Sequence, residues 1–243
     1  MFCKDSFVMY DKDFIKRNDL PDKLLLVMAY LRIYCAKNGC VGTSINLICE
    51  KIGYKPNRNK GKINSQIIDA LKWLKARNFI SLATNLDEVV NNNCFFIEIN
   101  NDPNIYDLND NYVILTESEF DKITKSNNDK KRNKQNLLKV FLNIKKYMSF
   151  DKHNLSYCYP SHITLCRDCN ISSTGVINNI IDELKHIGLL YTYNSGRYKD
   201  HKGNIKYTNN FYALEKDILK PKMCDEIIKN YYLSLGTTIS EFI

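Results

Sequence analysis

The stretch Ile67-Ile68-Asp69-Ala70-Leu71-Lys72 returns 113 residues later as Ile180-Ile181-Asp182-Glu183-Leu184-Lys185, with nearly the same order of apolar, acidic and basic residues. At the same distance, Leu24-Leu25-Leu26-Val27 returns as Leu137-Leu138-Lys139-Val140. A single spacing that recurs at two well-separated places indicates an internal duplication. We therefore expect two similar units, each of about 110 residues.

Hydrophobic periodicity predicts three helices in the second copy. The first helix contains an apolar stripe between Leu137 and Tyr147, and the second covers His162–Cys169. Ser172 or Ser173 supplies the N-cap of the third helix. The apolar face expected for that third helix consists of Val176, Ile177, Ile180, Ile181, Leu184 and Ile187.

Two strands are predicted after these helices. Leu189–Tyr193 and Tyr207–Leu214 are rich in Leu, Tyr, Thr and Phe, and a polar loop, 194–206, joins them. The first copy repeats the order, with helices near 22–36, 44–52 and 62–77 and strands near 80–84 and 94–100. The predicted fold is α+β and mostly helical, with two tandem winged-helix domains (helix-turn-helix plus β-hairpin wing) related by internal duplication.

Domain boundaries follow from the repeat. We expect the first winged-helix domain over 1–110, the second over 111–217, and a C-terminal helix and tail over 218–243. The formal charge of +8 is unevenly spread, because residues 1–124 contain 16 Lys and Arg against 16 Asp and Glu, whereas residues 125–243 contain 19 against 11. Excess positive charge confined to one of two similar units indicates a surface that faces a polyanion.

The candidate DNA-binding residues follow from how a helix-turn-helix docks. The third helix enters the major groove and the wing contacts phosphate or the minor groove, so both should carry polar or basic side chains. In the second copy these residues are Ser172, Ser173, Thr174, Asn178, Asn179 and Lys185 on the helix, and Arg197, Lys199, His201, Lys202 and Lys206 on the wing. Further candidates are Lys130, Lys131 and Arg132 before the first helix, and Lys55, Arg58, Lys60 and Lys62 in the first copy.

The chain resembles the tandem winged-helix replication initiators of plasmids and phages. The resemblance rests on the architecture, on Leu24–Leu31 and Ile67–Leu74 with their repeats, and on Ile187–Leu190 leading into a strand. It implies sequence-specific binding to double-stranded DNA at an origin on a mobile element, an equilibrium between monomer and homodimer through the first domain, and recruitment of host replication proteins. A transcriptional regulator of the same fold and a protein–protein adaptor without DNA binding remain as alternatives.

Catalytic and metal-binding patterns are weak or missing in the sequence. Cys158, His162, Cys166 and Cys169 have ligand-like spacing, but no second Cys-x-x-Cys follows, so we expect core cysteines and no metal. Neither a phosphate-binding loop nor a His-Glu-x-x-His motif occurs. We expect a cytoplasmic protein that is not an enzyme, binds no cofactor and has no membrane partner.

Overall fold

The computed structural model describes residues 6–100, 111–126, 133–150, 156–214 and 221–242. Over these ranges the protein is α+β, with helices and small antiparallel sheets, which confirms the predicted class. The chain forms two compact units, Met1–Leu142 and Asn143–Ile243. No helix within the described ranges is both long enough and apolar enough to cross a membrane.

The first unit combines helices with two small sheets. Its helices are α1 (Leu24–Ile33), α2 (Ile45–Lys51), α3 (Ile63–Ala76) and α4 (Glu117–Lys125), and α5 (Lys134–Tyr147) begins in it. Its strands are β1 (Phe7–Asp11), β2 (Cys40–Thr43), β3 (Ile80–Ser81), β4 (Phe95–Ile99) and β5 (Tyr112–Thr116). The strand β4 lies between β2 and β3 in an antiparallel sheet, and α1 is buried on nearly all sides, which makes it the centre of the core.

The second unit contains three further helices and a larger set of strands than the first. Its helices are α6 (His162–Cys169), α7 (Thr174–His186) and α8 (Pro221–Ser234). Its strands are β6 (Ser149–Phe150), β7 (Ser156–Cys158), β8 (Tyr191–Tyr193), β9 (Arg197–Asp200), β10 (Ile205–Tyr207), β11 (Phe211–Ala213) and β12 (Ile239–Phe242). They form two antiparallel sheets, with strand orders β6-β7-β11-β8 and β10-β9-β12.

The same order of elements occurs twice along the chain. It runs α1, β2, α2, α3, β3, β4 in the first half and α5, β7, α6, α7, β8, β11 in the second, where β6, β9 and β10 are additional strands. In each sheet the strand that comes last in the sequence lies between the other two: β4 lies between β2 and β3, and β11 lies between β7 and β8. The orders β2-β4-β3 and β7-β11-β8 therefore correspond. The repeat seen in the sequence therefore has a counterpart in the topology.

The spacing of 113 residues is wrong for the third helices. The buried positions of α3 include Ile67, Ala70, Leu71 and Leu74, and those of α7 are Ile177, Ile180, Ile181 and Leu184. They match at a spacing of 110 residues, so Ile67 corresponds to Ile177 and not to Ile180. A shift of three residues is nearly one helical turn, so apolar residues still align with apolar residues. The sequence comparison alone therefore does not distinguish a spacing of 113 from one of 110. Val176 is accordingly 42% exposed instead of lying on the apolar face.

The second helices correspond at a different spacing. Ser44 caps α2 and Ser161 caps α6, each accepting a hydrogen bond from the backbone N–H three residues later, and these two caps are 117 residues apart. The drop from 117 to 110 means that seven extra residues separate α2 from α3. The connection there is 52–62, against only 170–173 between α6 and α7. We call residues 52–62 the long connection.

The chain divides at Leu142/Asn143, whereas the expected division was at 110/111, so β5 and the start of α5 belong to the first unit. The strand β5 pairs antiparallel with β1 along its whole length. The backbone N–H of Leu26 in α1 donates to Gln135 Oε1 at 3.3 Å, and Lys23 Nζ donates to Asn133 Oδ1 at 3.2 Å. These bonds join segments more than 100 residues apart and move the division to Leu142/Asn143.

The predicted C-terminal helix is present as α8, and it packs into the core of the second unit. One buried cluster of the second unit contains Phe211 of β11, Cys224 and Ile228 of α8, and Ile239 of β12. The strand β12 also pairs antiparallel with β9. Residues beyond 217 therefore complete the core of the second unit instead of forming a separate tail.

Truncating Ile228 tests this integration. The side chain is fully buried, so Ile228→Ala should lower the free energy of unfolding by about 3 kcal/mol through lost burial and the cavity that remains. Leu233→Ala on the same helix is the control, because Leu233 is 59% exposed and its loss should cost less than about 0.5 kcal/mol. Urea denaturation followed by near-ultraviolet circular dichroism measures both, and equal losses would contradict the assigned packing.

The single tryptophan lies in the first unit, on α3. The guanidinium of Arg77 lies 3.9 Å from the centroid of the Trp73 ring, and that of Arg17 lies 5.8 Å away. Phe14 and Phe79 contact the same ring at centroid distances of 6.0 and 5.9 Å. Trp73 is thus held between cations and aromatic rings at the edge of the core.

Candidate nucleic-acid interface

The first turn of α7 presents an exposed polar surface. Ser172, Ser173, Thr174 and Asn178 are all exposed, and Ser173 makes no side-chain capping bond. Asn179 is exposed beside them and takes part in an interaction within the chain. Hydroxyl and amide groups at a helix N-terminus can contact base edges or a phosphate. The structure therefore brings the predicted helix residues together at one end of α7, with Lys185 as the exception.

Lys185 lies at the other end of α7. It is about 10 Å along the axis from Asn178, at 1.5 Å per residue. Its Nζ lies 3.6 Å from Asp182 Oδ1, and both side chains are largely exposed. Lys185 therefore lies on a solvent-exposed side of the helix, and Asp182 partly neutralises its charge.

The predicted wing is a hairpin of its own. Instead of an irregular loop, β9 and β10 pair antiparallel through Lys199↔Ile205, Tyr198↔Lys206 and Arg197↔Tyr207. Asp200 closes the turn, because its Oδ1 accepts backbone hydrogen bonds from Lys202 and Asn204 at 2.9 Å each. Gly203 follows in the left-handed region at φ +79. We call residues 197–207 the hairpin.

Two of the four hairpin cations are paired inside the unit. Lys206 Nζ lies 3.1 Å from Asp200 Oδ2, and Lys199 Nζ lies 2.5 Å from Glu241 Oε1 on β12. Burial by itself would raise the pKa of Asp200, but hydrogen bonds from Asn204 and Lys206 outweigh it and hold that pKa below its usual value. Arg197, His201 and Lys202 are exposed. The hairpin is thus less positive than its sequence indicates.

The long connection carries the other set of predicted cations. Lys55, Arg58, Lys60 and Lys62 are all exposed, and none of them forms an ion pair with another residue that the structure describes. The connection runs directly into α3, whose first residue is Ile63. Four cations without an ionic partner among the described residues therefore precede the N-terminus of α3, and a helix N-terminus itself favours an anion.

A buried asparagine fixes the long connection in place. Asn64, only 2% exposed on the first turn of α3, accepts a hydrogen bond from the Asn57 backbone N–H at 2.7 Å through its Oδ1. Its Nδ2 donates to Asn46 Oδ1 at 3.0 Å, and its backbone N–H donates to the Asn57 carbonyl at 3.3 Å. Because these bonds tie 57 to α2 and α3, the cations are presented on an anchored segment.

The loop of the first unit that corresponds to the hairpin is different in charge. Between β3 and β4, Asp87 and Glu88 are exposed, and Asp87 forms an ion pair with Lys72 of α3. Carboxylates at this position repel phosphate. In the first unit the positive surface therefore lies on the connection before α3 and not on the loop after it.

The observed division changes the charge balance of the two halves. Met1–Leu142 contains 22 Lys and Arg against 17 Asp and Glu, a net charge of +5, and Asn143–Ile243 contains 13 against 10, a net charge of +3. The expectation that the second unit holds all the excess positive charge is wrong, because 125–142, with Lys130, Lys131 and Arg132, belongs to the first unit. These three residues lie outside the described residues.

The cysteines and histidine considered as zinc ligands have other contacts. Cys158 Sγ donates to the Ile144 carbonyl at 3.4 Å, and His162 Nε2 lies 2.6 Å from Asn210 Nδ2. Burial lowers the pKa of His162 and raises that of the Cys166 thiol. Within the part of the chain that the structure describes, no three His, Cys, Asp or Glu side chains converge into a metal-binding group.

Sequence reasoning missed two functional features. Glu241, the partner of Lys199, lies 42 positions away in a segment read as a tail. The second is the length of the long connection, which Ser44 and Ser161 before the second helices and Asn78 and Gly188 after the third helices could have indicated. No protein-family model matches the sequence, and no curated protein matches it.

Proposed function

We propose that this protein binds double-stranded DNA through two tandem winged-helix units. The observation that carries the proposal is the repeated topology, in which each third helix begins at an exposed, polar or basic surface. In α7 that surface is small and uncharged, as suits base edges in a major groove. In α3 it is bordered by the cations of the long connection, as suits phosphates.

The two units then contribute differently to binding. Asn178 and its neighbours on α7 contact bases, and Arg197 and Lys202 on the hairpin contact phosphates. Lys55, Arg58, Lys60 and Lys62 supply a sequence-independent electrostatic contribution. The first unit is on this view a major DNA contact. By the resemblance given above, we propose a repeated origin sequence as the target.

An anisotropy titration of labelled duplexes at several salt concentrations tests the proposal. The logarithm of the association constant should fall steeply with the logarithm of salt, because phosphate contacts release counterions. Duplexes with direct repeats selected from a random pool should bind more tightly than scrambled ones. Absence of binding at low salt would contradict DNA binding and favour the adaptor function.

The role of α7 is tested with Asn178→Ala. We expect a loss of about 1–3 kcal/mol on the selected sequence and little change on scrambled DNA, since a base contact affects discrimination. Asn230→Ala is the matched control, because Asn230 is also an exposed helical asparagine, on α8. A uniform loss on both duplexes would assign Asn178 to phosphate contact instead.

A further inference from the structure

The second unit contains a cleft whose lining includes none of the exposed polar residues at the start of α7. It has a volume of ≈ 440 Å³, within the range of small-molecule sites. Four of its nine described lining residues are tyrosines, Tyr147, Tyr157, Tyr159 and Tyr231, and Thr164 and Asn209 add polar groups. None of its described lining residues is charged.

The rings of the cleft are held in a fixed arrangement. Tyr159 and Tyr231 stack nearly parallel, with centroids 4.3 Å apart and an interplanar angle of 12°. Tyr157 lies edge-on to Tyr159 and stacks on the buried Phe211 at 5.4 Å. Because Tyr157 lies on β7, Tyr159 directly after it and Tyr231 on α8, the core itself positions these tyrosines at the cleft.

One polar atom of the cleft lining has no described partner. The hydroxyl oxygen of Tyr159 is buried, and no other residue that the structure describes forms a hydrogen bond with it. Neighbouring tyrosine hydroxyls are satisfied, since that of Tyr193 donates to Asp225 at 3.0 Å and that of Tyr232 accepts from the Asn209 backbone N–H at 3.0 Å. Burial accordingly raises the pKa of Tyr159. A buried hydroxyl of this kind is unfavourable unless something bonds to it.

We propose that this cleft binds a nucleobase. A planar, uncharged ring can stack against the tyrosines, and its edge can bond to the Tyr159 hydroxyl and to Asn209 Oδ1, since Asn209 Nδ2 already donates to the Tyr159 carbonyl at 3.3 Å. The uncharged lining disfavours phosphate and other ions, so recognition is of the base and not of the backbone. The base belongs either to a free nucleoside or to an unpaired position in a DNA strand. The inference stands independently of duplex binding by α3 and α7.

Nuclear magnetic resonance of the full chain with ¹³C-labelled tyrosine tests the proposal. Adenosine, cytidine, guanosine, thymidine and short single-stranded oligonucleotides are titrated separately while the tyrosine ring signals are followed. We expect signals that disappear in Tyr159→Phe or Tyr231→Leu to be the ones that shift. A shift with nucleosides identifies a free-nucleoside site, and a shift with oligonucleotides alone identifies an unpaired base in a strand.

Tyr159→Phe is the decisive variant because it removes one oxygen and keeps the ring. We expect the apparent dissociation constant to rise about tenfold while the melting temperature of the free protein rises, since a buried unbonded hydroxyl is gone. Tyr231→Leu should weaken binding at least as much, because a stacking face is lost. Tyr207→Leu is the control, since Tyr207 is 75% exposed on β10 and should leave binding unchanged.

Two results would overturn the proposal. The first is that no cleft tyrosine signal shifts with any nucleoside or oligonucleotide. The second is that Tyr159→Phe binds as tightly as the unaltered protein. Near-ultraviolet circular dichroism of each variant shows whether the tyrosine packing survives the substitution. Because Tyr159→Phe keeps the ring, it separates loss of the hydroxyl from loss of the fold.

Discussion

Replacing Lys55, Arg58, Lys60 and Lys62 with alanine should lower the salt dependence of DNA binding by about 3.6 in the slope of log K against log salt. Each phosphate contact contributes about 0.9 to that slope on duplex DNA, and four unpaired cations are removed. Affinity at low salt should fall strongly for selected and scrambled duplexes alike, since the contacts are to the backbone. Anisotropy titrations at four or more salt concentrations give both quantities.

A matched pair of double variants compares the two units. Lys60→Ala with Lys62→Ala removes two unpaired cations from the long connection, and Lys199→Ala with Lys206→Ala removes two that already face Glu241 and Asp200. The first variant should lower the slope by about 1.8, and the second should lower it clearly less. An equal or larger effect of the hairpin variant would show that the second unit carries most of the phosphate contacts.

Replacing Asp168 with alanine should destabilise the second unit by about 3 kcal/mol. Asp168 Oδ2 lies 2.5 Å from Lys146 Nζ and accepts from the Tyr147 hydroxyl, and the Asp168 and Lys146 side chains are only 8% and 5% exposed. Removing one partner leaves a buried charge without compensation, which is the costly way to break such a pair. Urea denaturation gives the change in the free energy of unfolding.

Two controls accompany Asp168→Ala. Asp182→Ala removes an exposed carboxylate that pairs with Lys185, and it should cost less than about 0.5 kcal/mol. Lys146→Met combined with Asp168→Leu removes both charges, and it should be more stable than Asp168→Ala alone. A double variant less stable than the single one would show that Asp168 does not stabilise through Lys146.

The Asp168 carboxylate also makes the stability of the second unit depend on pH. Burial by itself would raise the pKa of Asp168, but hydrogen bonds from Lys146 and Tyr147 outweigh it and lower that pKa. The stability that it contributes is therefore complete above the usual aspartate pKa, and it is lost as pH falls through the lowered value. Below about pH 4 the unaltered protein should lose stability more steeply than Asp168→Ala.

Helical periodicity was enough to predict the α+β class, the second and third helices and most of the buried face of α7. It could not fix the register between the two halves, because a slip of three residues leaves a helix face almost unchanged. Ile67 and Ile180 look equivalent in sequence, yet Ile177 occupies the matching place in the structure.

Contacts between distant segments were beyond the sequence. The pairing of β1 with β5 and the hydrogen bond from Leu26 to Gln135 join residues more than 100 positions apart, so the boundary between units could not be read from composition. The same holds for Glu241, whose pairing with Lys199 depends on β12 lying beside β9. The sequence therefore indicated candidate site residues by their residue type, but it could not indicate their ionic partners.

Because Trp73 lies in the first unit, tryptophan fluorescence follows the unfolding of that unit separately. The only indole is held by Arg77 and Phe79 in the first unit, so its emission follows that unit alone. The stacked tyrosines around Tyr159 belong to the second unit, and since the first unit also contains paired tyrosines such as Tyr30 and Tyr34, the near-ultraviolet tyrosine signal follows both units. Denaturation curves recorded at the two signals will coincide if the units unfold together and separate if they unfold one at a time.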